Sequence, residues 1–157
     1  MLKYYLIEFF ISMVPLIELR GAIPYSQVVG LPLLPAYAVA IVGNMLPVPF
    51  IFLFARKVLE MGSQLPGIPG RFCRYCMQKG ERGGEKLMSK AGNGLFLALL
   101  LFVGIPLPGT GAWTGTLAAS ILNMDFKSSV LAAMGGVLLA GIIMMAASTG
   151  VLAVIGL

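Results

Sequence analysis

Histidine is missing from all 157 residues of the chain, which removes Ser-His nucleophile activation, imidazole zinc ligands and imidazole proton shuttles together. Aspartate occurs once, at Asp125, so an aspartyl dyad is excluded too. Charge is scarce: 11% of residues are Asp, Glu, Lys or Arg, against about a quarter in a soluble domain. Apolar residues fill the deficit, at 59% with a mean hydropathy of +0.95. This is the make-up of a membrane protein, and binding or transport displaces catalysis as the expected activity. No cofactor is expected. The two cysteines, Cys73 and Cys76, form a lone C-x-x-C. Zinc would need two further ligands, available only from another protomer, so both are expected to be reduced spectator thiols.

What charge there is lies in one place. Between Arg56 and Lys90 stand eight Lys or Arg against three Glu, so this stretch carries the whole net charge of +5. A basic connection between apolar segments is the mark of a cytoplasmic loop, because Lys and Arg resist translocation. Nucleic acid is not the expected partner, since no aromatics interleave with the basic residues in a binding pattern. Anionic lipid headgroups suit the loop better. Its segment Gly80–Lys86 is glycine-rich, but Glu85 and Leu87 stand where a phosphate loop needs Gly and Ser or Thr, so ATP binding is excluded. The N-terminal apolar run reads as mature sequence, because Glu8 interrupts it and no small-residue cleavage site follows.

Three stretches carry no charge: 31–55, 91–124 (34 residues) and 128–157. A crossing needs about 20 apolar residues. The first predicts a span near Pro35–Phe54 with Asn44 at its centre. The last predicts a second span, with Asp125 or Asn123 to cap its start. Small residues Ala132, Gly136 and Ala140 at helical spacing suit close packing within the protomer or a contact between copies. The middle stretch is too long to cross once, since as one helix it would extend about 50 Å. The run Gly104-Ile105-Pro106-Leu107-Pro108-Gly109-Thr110-Gly111 breaks it into arms 94–105 and 112–122, each too short to cross alone. The N-terminus repeats the pattern: an apolar run over 2–14 stops at Pro15 and is followed by Ile17-Glu18-Leu19-Arg20-Gly21-Ala22-Ile23-Pro24. Short apolar arms about a Pro/Gly break predict re-entrant hairpins, whose irregular backbone must line a cavity or be covered by protein.

The breaks share letters, Val14-Pro15-Leu16 before Gly21-Ala22 and Ile105-Pro106-Leu107 before Gly111-Ala112. Their order also repeats, hairpin then span in 1–55 and in 91–157, with the basic loop 56–90 between. With that loop cytoplasmic, the hairpins enter from opposite sides, and the chain is an all-α polytopic membrane domain of two inverted repeats. Transporters of this plan place their site near the midplane, where broken elements meet.

Glu18 and Arg20 are the ionisable groups expected there, where a charge at a helix centre costs about 2.5–3.5 kcal/mol. They are read either as a local ion pair holding the tip, or as a fork of donors for an anionic headgroup beside a carboxyl that exchanges a proton. In the opposite tip, Gly109 and Gly111 can turn backbone N–H groups to one concavity and Thr110 adds a hydroxyl. That arrangement would cradle an oxyanion or simply make a tight turn. Trp113 and Asn44 are expected close by, and Asn44 can alternatively bond backbone freed by Pro47 and Pro49.

The two motifs, Pro15–Pro24 and Gly104–Gly115, resemble the small multidrug export family, a branch of the DedA superfamily. The resemblance covers nearly the whole chain. It implies two re-entrant hairpins and relatives that translocate lipids, polyprenyl-phosphate carriers among them, with Glu18 and Arg20 at important acidic and basic positions. Where larger relatives carry arginines in the second hairpin, this chain has Thr110. The expected function is therefore transport of an anionic lipid carrier, open to coupling by protons. The alternative is proton-coupled export of small cationic drugs, with Glu18 as proton acceptor. A homo-oligomer is open. The topology is tested by single cysteines placed at Ser63 and Leu157: residues 56–90 should face the cytoplasm and both termini the outside, and external labelling at 63 but not 157 in intact cells would reverse this orientation.

Overall fold

The computed structural model describes residues 1–75, 77, 78 and 94–155, with side chains through Val151. Cys76, the Gly80–Lys86 stretch and the remaining charges of the basic loop after Gln78 lie outside the described residues. Among the described residues, seven helices carry the fold: α1 (Leu2–Met13), α2 (Glu18–Val28), α3 (Leu33–Met45), α4 (Pro47–Ser63), α5 (Gly94–Gly104), α6 (Ala112–Ile121) and α7 (Phe126–Ile155). The chain is also helical over 68–75, where Cys73 is a free thiol, and no strand occurs among the described residues.

Local chemistry sets the boundaries. Val14 is extended at φ −71°, ψ 129° because Pro15 follows it and a residue before proline is pushed out of the helical region. Helix α5 ends one residue before Ile105, and α6 begins at Ala112, directly after Gly111. Asp125 caps α7, accepting from the backbone N–H of Ser128 at 3.1 Å. Leu46 keeps helical dihedrals, so α3 and α4 run on as one apolar helix of 31 residues, Leu33–Ser63, that contains the expected span. With the 26 residues of Phe126–Val151, two helices are long and apolar enough to cross a bilayer. One expectation is corrected: of the stretch between Pro15 and Pro24, expected to be irregular, only the part up to Glu18, which has φ 53°, is so, and α2 continues through Pro24. Neighbouring helices hold it there, with Leu19, Ala22 and Ile23 at most 1% exposed.

Packing is inside-out compared with a soluble protein. The buried residues of α1 are Glu8 and Ser12, while Leu2, Leu6, Ile7 and Phe10 face outward. Helix α7 likewise exposes Leu131, Leu138 and Ile142 and buries Ser129, Ala132, Ala133 and Ala140. Such a surface is stable only against hydrocarbon, which makes this a membrane protein. Lipid provides no hydrophobic drive between helices, so close approach of backbones must hold them together. Gly43, the eleventh residue of α3, lies against the Phe9 carbonyl and Ser12 of α1. Gly136, the eleventh residue of α7, lies against the Leu100 carbonyl and Val103 of α5. The stripe Ala132, Gly136 and Ala140 is thus spent on packing within the chain.

The second arm of each hairpin then crosses to the other half. Helix α2 packs on α7, with Leu19 beside Gly141, and α6 packs on α4, where the Ser120 hydroxyl donates to the Phe52 carbonyl at 2.9 Å. Each half therefore closes over the long helix of its partner. A Cβ at Gly136 would sit 2.6 Å from Val103 Cβ and 2.7 Å from the Leu100 carbonyl, whereas at Gly150 it would meet nothing within 4 Å. Gly136→Ala should lower stability by about 1–3 kcal/mol and Gly150→Ala should not, as read by thermal unfolding in detergent.

Candidate functional site

The two helix breaks meet. Where α5 stops and α6 starts, the last carbonyls of one and the first N–H groups of the other have no helical partner. Residues from the first hairpin fill both vacancies. Glu18 receives hydrogen bonds from the backbone N–H of Ala112 at 3.1 Å and of Trp113 at 3.0 Å, and is 3% exposed. Its carboxylate sits on the N-terminus of α6, where the helix dipole favours negative charge.

Arg20, one turn of side chain away, takes the other end. Its Nη1 donates to the carbonyls of Leu107 at 2.6 Å and Thr110 at 2.8 Å. Its Nη2 donates to the carbonyls of Val103 at 3.2 Å and Ile105 at 3.3 Å and to the Thr110 hydroxyl at 2.9 Å. Cation and carbonyls meet at the C-terminus of α5, again with the sign that the dipole favours. The Nε atom alone of the guanidinium is buried without a partner.

Backbone geometry makes the insertion fit. Leu16 and Glu18 have φ of 71° and 53°, left-handed values that cost about 1–2 kcal/mol for a residue with a side chain. They turn the chain sharply after Pro15 and deliver Glu18 to α6. On the receiving side Gly111 has φ 139°, and a Cβ there would lie 2.7 Å from Glu18 Oε1. Gly109, at φ 82°, supplies the turn. The Thr110 hydroxyl, besides accepting from Arg20, lies 2.9 Å from the carbonyls of Ile105 and Leu107 and completes the knot. Trp113 joins the hairpins a second time, its indole N–H donating to the Met13 carbonyl at 3.1 Å.

Of the sequence-predicted residues, Glu18, Arg20, Gly109, Thr110, Gly111 and Trp113 therefore come together. The expected Glu18–Arg20 ion pair is not formed: among the described residues the ion pair within 4.0 Å is Arg56–Glu60 on α4. Both side chains are drawn instead to backbone groups of the other hairpin. The groups expected to cradle an oxyanion do not hold Glu18: its donors are the N–H groups of Ala112 and Trp113, while Thr110 turns its N–H to the Leu107 carbonyl and its hydroxyl accepts from Arg20. Asn44 makes no side-chain hydrogen bond to either tip. It is 0% exposed, and both of its amide atoms lack a partner, so it does not bond backbone freed by Pro47 and Pro49.

A second polar set was not foreseen. Glu8 is 0% exposed with both carboxylate oxygens unpartnered, and Thr116 and Ser148 have buried hydroxyls without partners. The signal was present as Glu8 and Ser12, four apart on one face of an otherwise apolar helix. An apolar cavity of about 290 Å³ opens elsewhere, between α5, α6 and Met124, lined by Leu95, Leu99, Phe102, Ala118, Ala119 and Leu122.

The family described as "Putative small multi-drug export protein" matches residues 18–143, a stretch that holds Glu18, Arg20, the second tip and all of α2 to α6. No curated protein and no solved structure matches the chain. The grip between the hairpins generates its own test. Glu18→Ala, which strips α6 of its cap, should cost about 2 kcal/mol, with Glu18→Gln losing less. Arg20→Lys should cost about 1–2 kcal/mol, since an ammonium cannot span five acceptors. Thermal unfolding in detergent reads both, and variants melting with the wild type would show that the grip does not stabilise the fold.

Proposed function

Because this chain belongs to the small multi-drug export family, we propose that it exports small lipophilic cations across the membrane in exchange for protons. The observation that carries this reading, beside the family, is the state of Arg20. An anionic lipid carrier would need a free fork of donors, and both Nη atoms are spent on carbonyls and a hydroxyl of the second hairpin. The lipid expectation thereby loses its recognition element. A cation needs no such fork, and its apolar body suits the cavity lined by Leu95, Leu99 and Phe102. Glu18 is likewise engaged, by two backbone N–H groups at the N-terminus of α6.

The same reading takes the short helix pairs α1–α2 and α5–α6 as re-entrant hairpins of two inverted repeats. The matching positions of Gly43 and Gly136 and the mutual crossing of α2 and α6 support it. Loop 56–90 then faces the cytoplasm. Liposomes containing the purified protein test the function directly. An acid-inside pH gradient should drive ethidium uptake severalfold above protein-free liposomes, while a labelled polyprenyl phosphate should not change leaflet faster than in those controls. Lipid movement without ethidium uptake would overturn the proposal.

A further inference from the structure

We propose that Glu8 is the protonation site of the exchange cycle: it carries a proton while the site is closed and releases it when a cationic ligand takes its place. The part that concerns the ligand rests on the export reading above; the proton site itself does not. Glu8 lies outside the stretch matched by the family.

The placement is the argument. Glu8 is buried to 0% exposure on the inner face of α1, with Ser12 one turn on and also at 0%. Ser26 of α2 lies beside the carboxyl, itself at 0% exposure, its hydroxyl donating to the Ile23 carbonyl. On the other flank α3 meets α1 at Gly43, and the next residue, Asn44, holds two further buried atoms with no partner. Here the Glu8 carboxyl, with the Ser26 hydroxyl beside it, and the Asn44 amide sit in the interior of an apolar molecule without a closed hydrogen-bond network. That differs from the knot at the tips, where Glu18 is fully engaged.

Among the described residues, no ion pair compensates Glu8. The charged and titratable groups on the helices packed against it are Lys3, Tyr4 and Tyr5 on α1 itself, Glu18, Arg20 and Tyr25 on α2, and Tyr37 on α3. Lys3 holds its ammonium over the Tyr4 ring at 4.9 Å, Glu18 and Arg20 are committed to the second hairpin, and the Tyr37 hydroxyl donates to the Leu138 carbonyl at 2.7 Å. None forms an ion pair or hydrogen bond with the Glu8 carboxyl. A carboxylate buried without a cation is strongly disfavoured, so the interior tolerates this group in two forms: as a neutral acid, or as an anion facing a bound cation. Exchange between them breaks the carboxyl O–H bond, sends the proton to water and leaves the negative charge opposite the incoming cation. Charge in the interior is conserved.

Two measurements test this on the purified, full-length protein in detergent. In infrared difference spectra between acid and alkaline buffer, the wild type should show the carbonyl stretch of a buried, protonated carboxyl that is absent from Glu8→Gln, an isosteric change that keeps the packing. Ethidium binding should weaken by about tenfold per unit fall in pH where one proton is displaced per cation, and should lose that dependence in Glu8→Gln. A carboxyl band unchanged by Glu8→Gln overturns the proposal. So does a pH slope that survives the substitution. If the wild type shows the Glu8 band but neither binds nor moves ethidium, the proton site stands and the export reading falls.

Discussion

The fold depends on a break between two apolar helices and on the two side chains that close it. The interruption from Ile105 to Gly111 leaves carbonyls at the end of α5 and N–H groups at the start of α6. Each such group costs several kcal/mol in hydrocarbon when it has no partner. Glu18 and Arg20 answer with opposite charges on opposite ends, an anion on the N-terminus of α6 and a cation on the C-terminus of α5. The signs are those that the two helix dipoles favour, so each ion is compensated where it lies. Neither needs the other as a direct partner. Being two residues apart on α2, they enter as a unit whose net charge is zero.

This constraint propagates into the packing. For α2 to reach the break, it must cross from its own half and lie on α7, and α6 must lie on α4 in return. Crossings of this kind need backbones to pass closely, which is why alanine and glycine dominate the interior: Ala22, Ala40, Ala112, Ala119, Ala132 and Ala140 are all at 0% exposure. Many large apolar side chains, such as Leu2, Phe10, Phe50 and Ile142, are left for the outer surface, where hydrocarbon receives them. The inverted distribution of polarity, with Ser12, Ser26, Asn44 and Thr116 inside, follows from the same circumstance.

Helix ends were legible in the sequence because proline and glycine act on their immediate neighbours. The arms read as 94–105 and 112–122 are observed as Gly94–Gly104 and Ala112–Ile121, and the Asp125 cap is as expected. Pro24 misled because a proline's effect within a helix depends on the neighbours that cover the freed carbonyl, and those come from other elements. The importance of Glu18 and Arg20 was also legible, from charge in an apolar zone. Their partners were not, since these are backbone atoms some 90 residues away whose availability depends on where a helix stops. The eye pairs a glutamate with the nearest arginine. The fold pairs each with the dipole that suits it. Glu8 escaped notice because a single acid in an N-terminal apolar run first reads as evidence about signal peptides, and the inner face it shares with Ser12 emerges only at helical spacing.

Charge in a low-dielectric place is therefore insufficient to mark a working group; what separates the cases is whether its bonding capacity is used up. Glu18 and the Nη atoms of Arg20 are saturated, and moving them would strand helix-end groups on both sides of the break, so the contact between the hairpins resists any cyclic change. Glu8 and Asn44 are unsaturated, and nothing is stranded when a proton or cation comes and goes beside them. The helices differ in the same sense. Helix α1 packs chiefly on α2 and α3 of its own half and turns Leu6 and Phe10 to lipid, while α2 is pinned at its head by the grip on α5 and α6. Helix α1 reaches the knot at its end, where the Met13 carbonyl accepts from the Trp113 indole N–H. The molecule divides its few polar residues by this rule, a saturated set that holds two halves together and an unsaturated set left free to exchange.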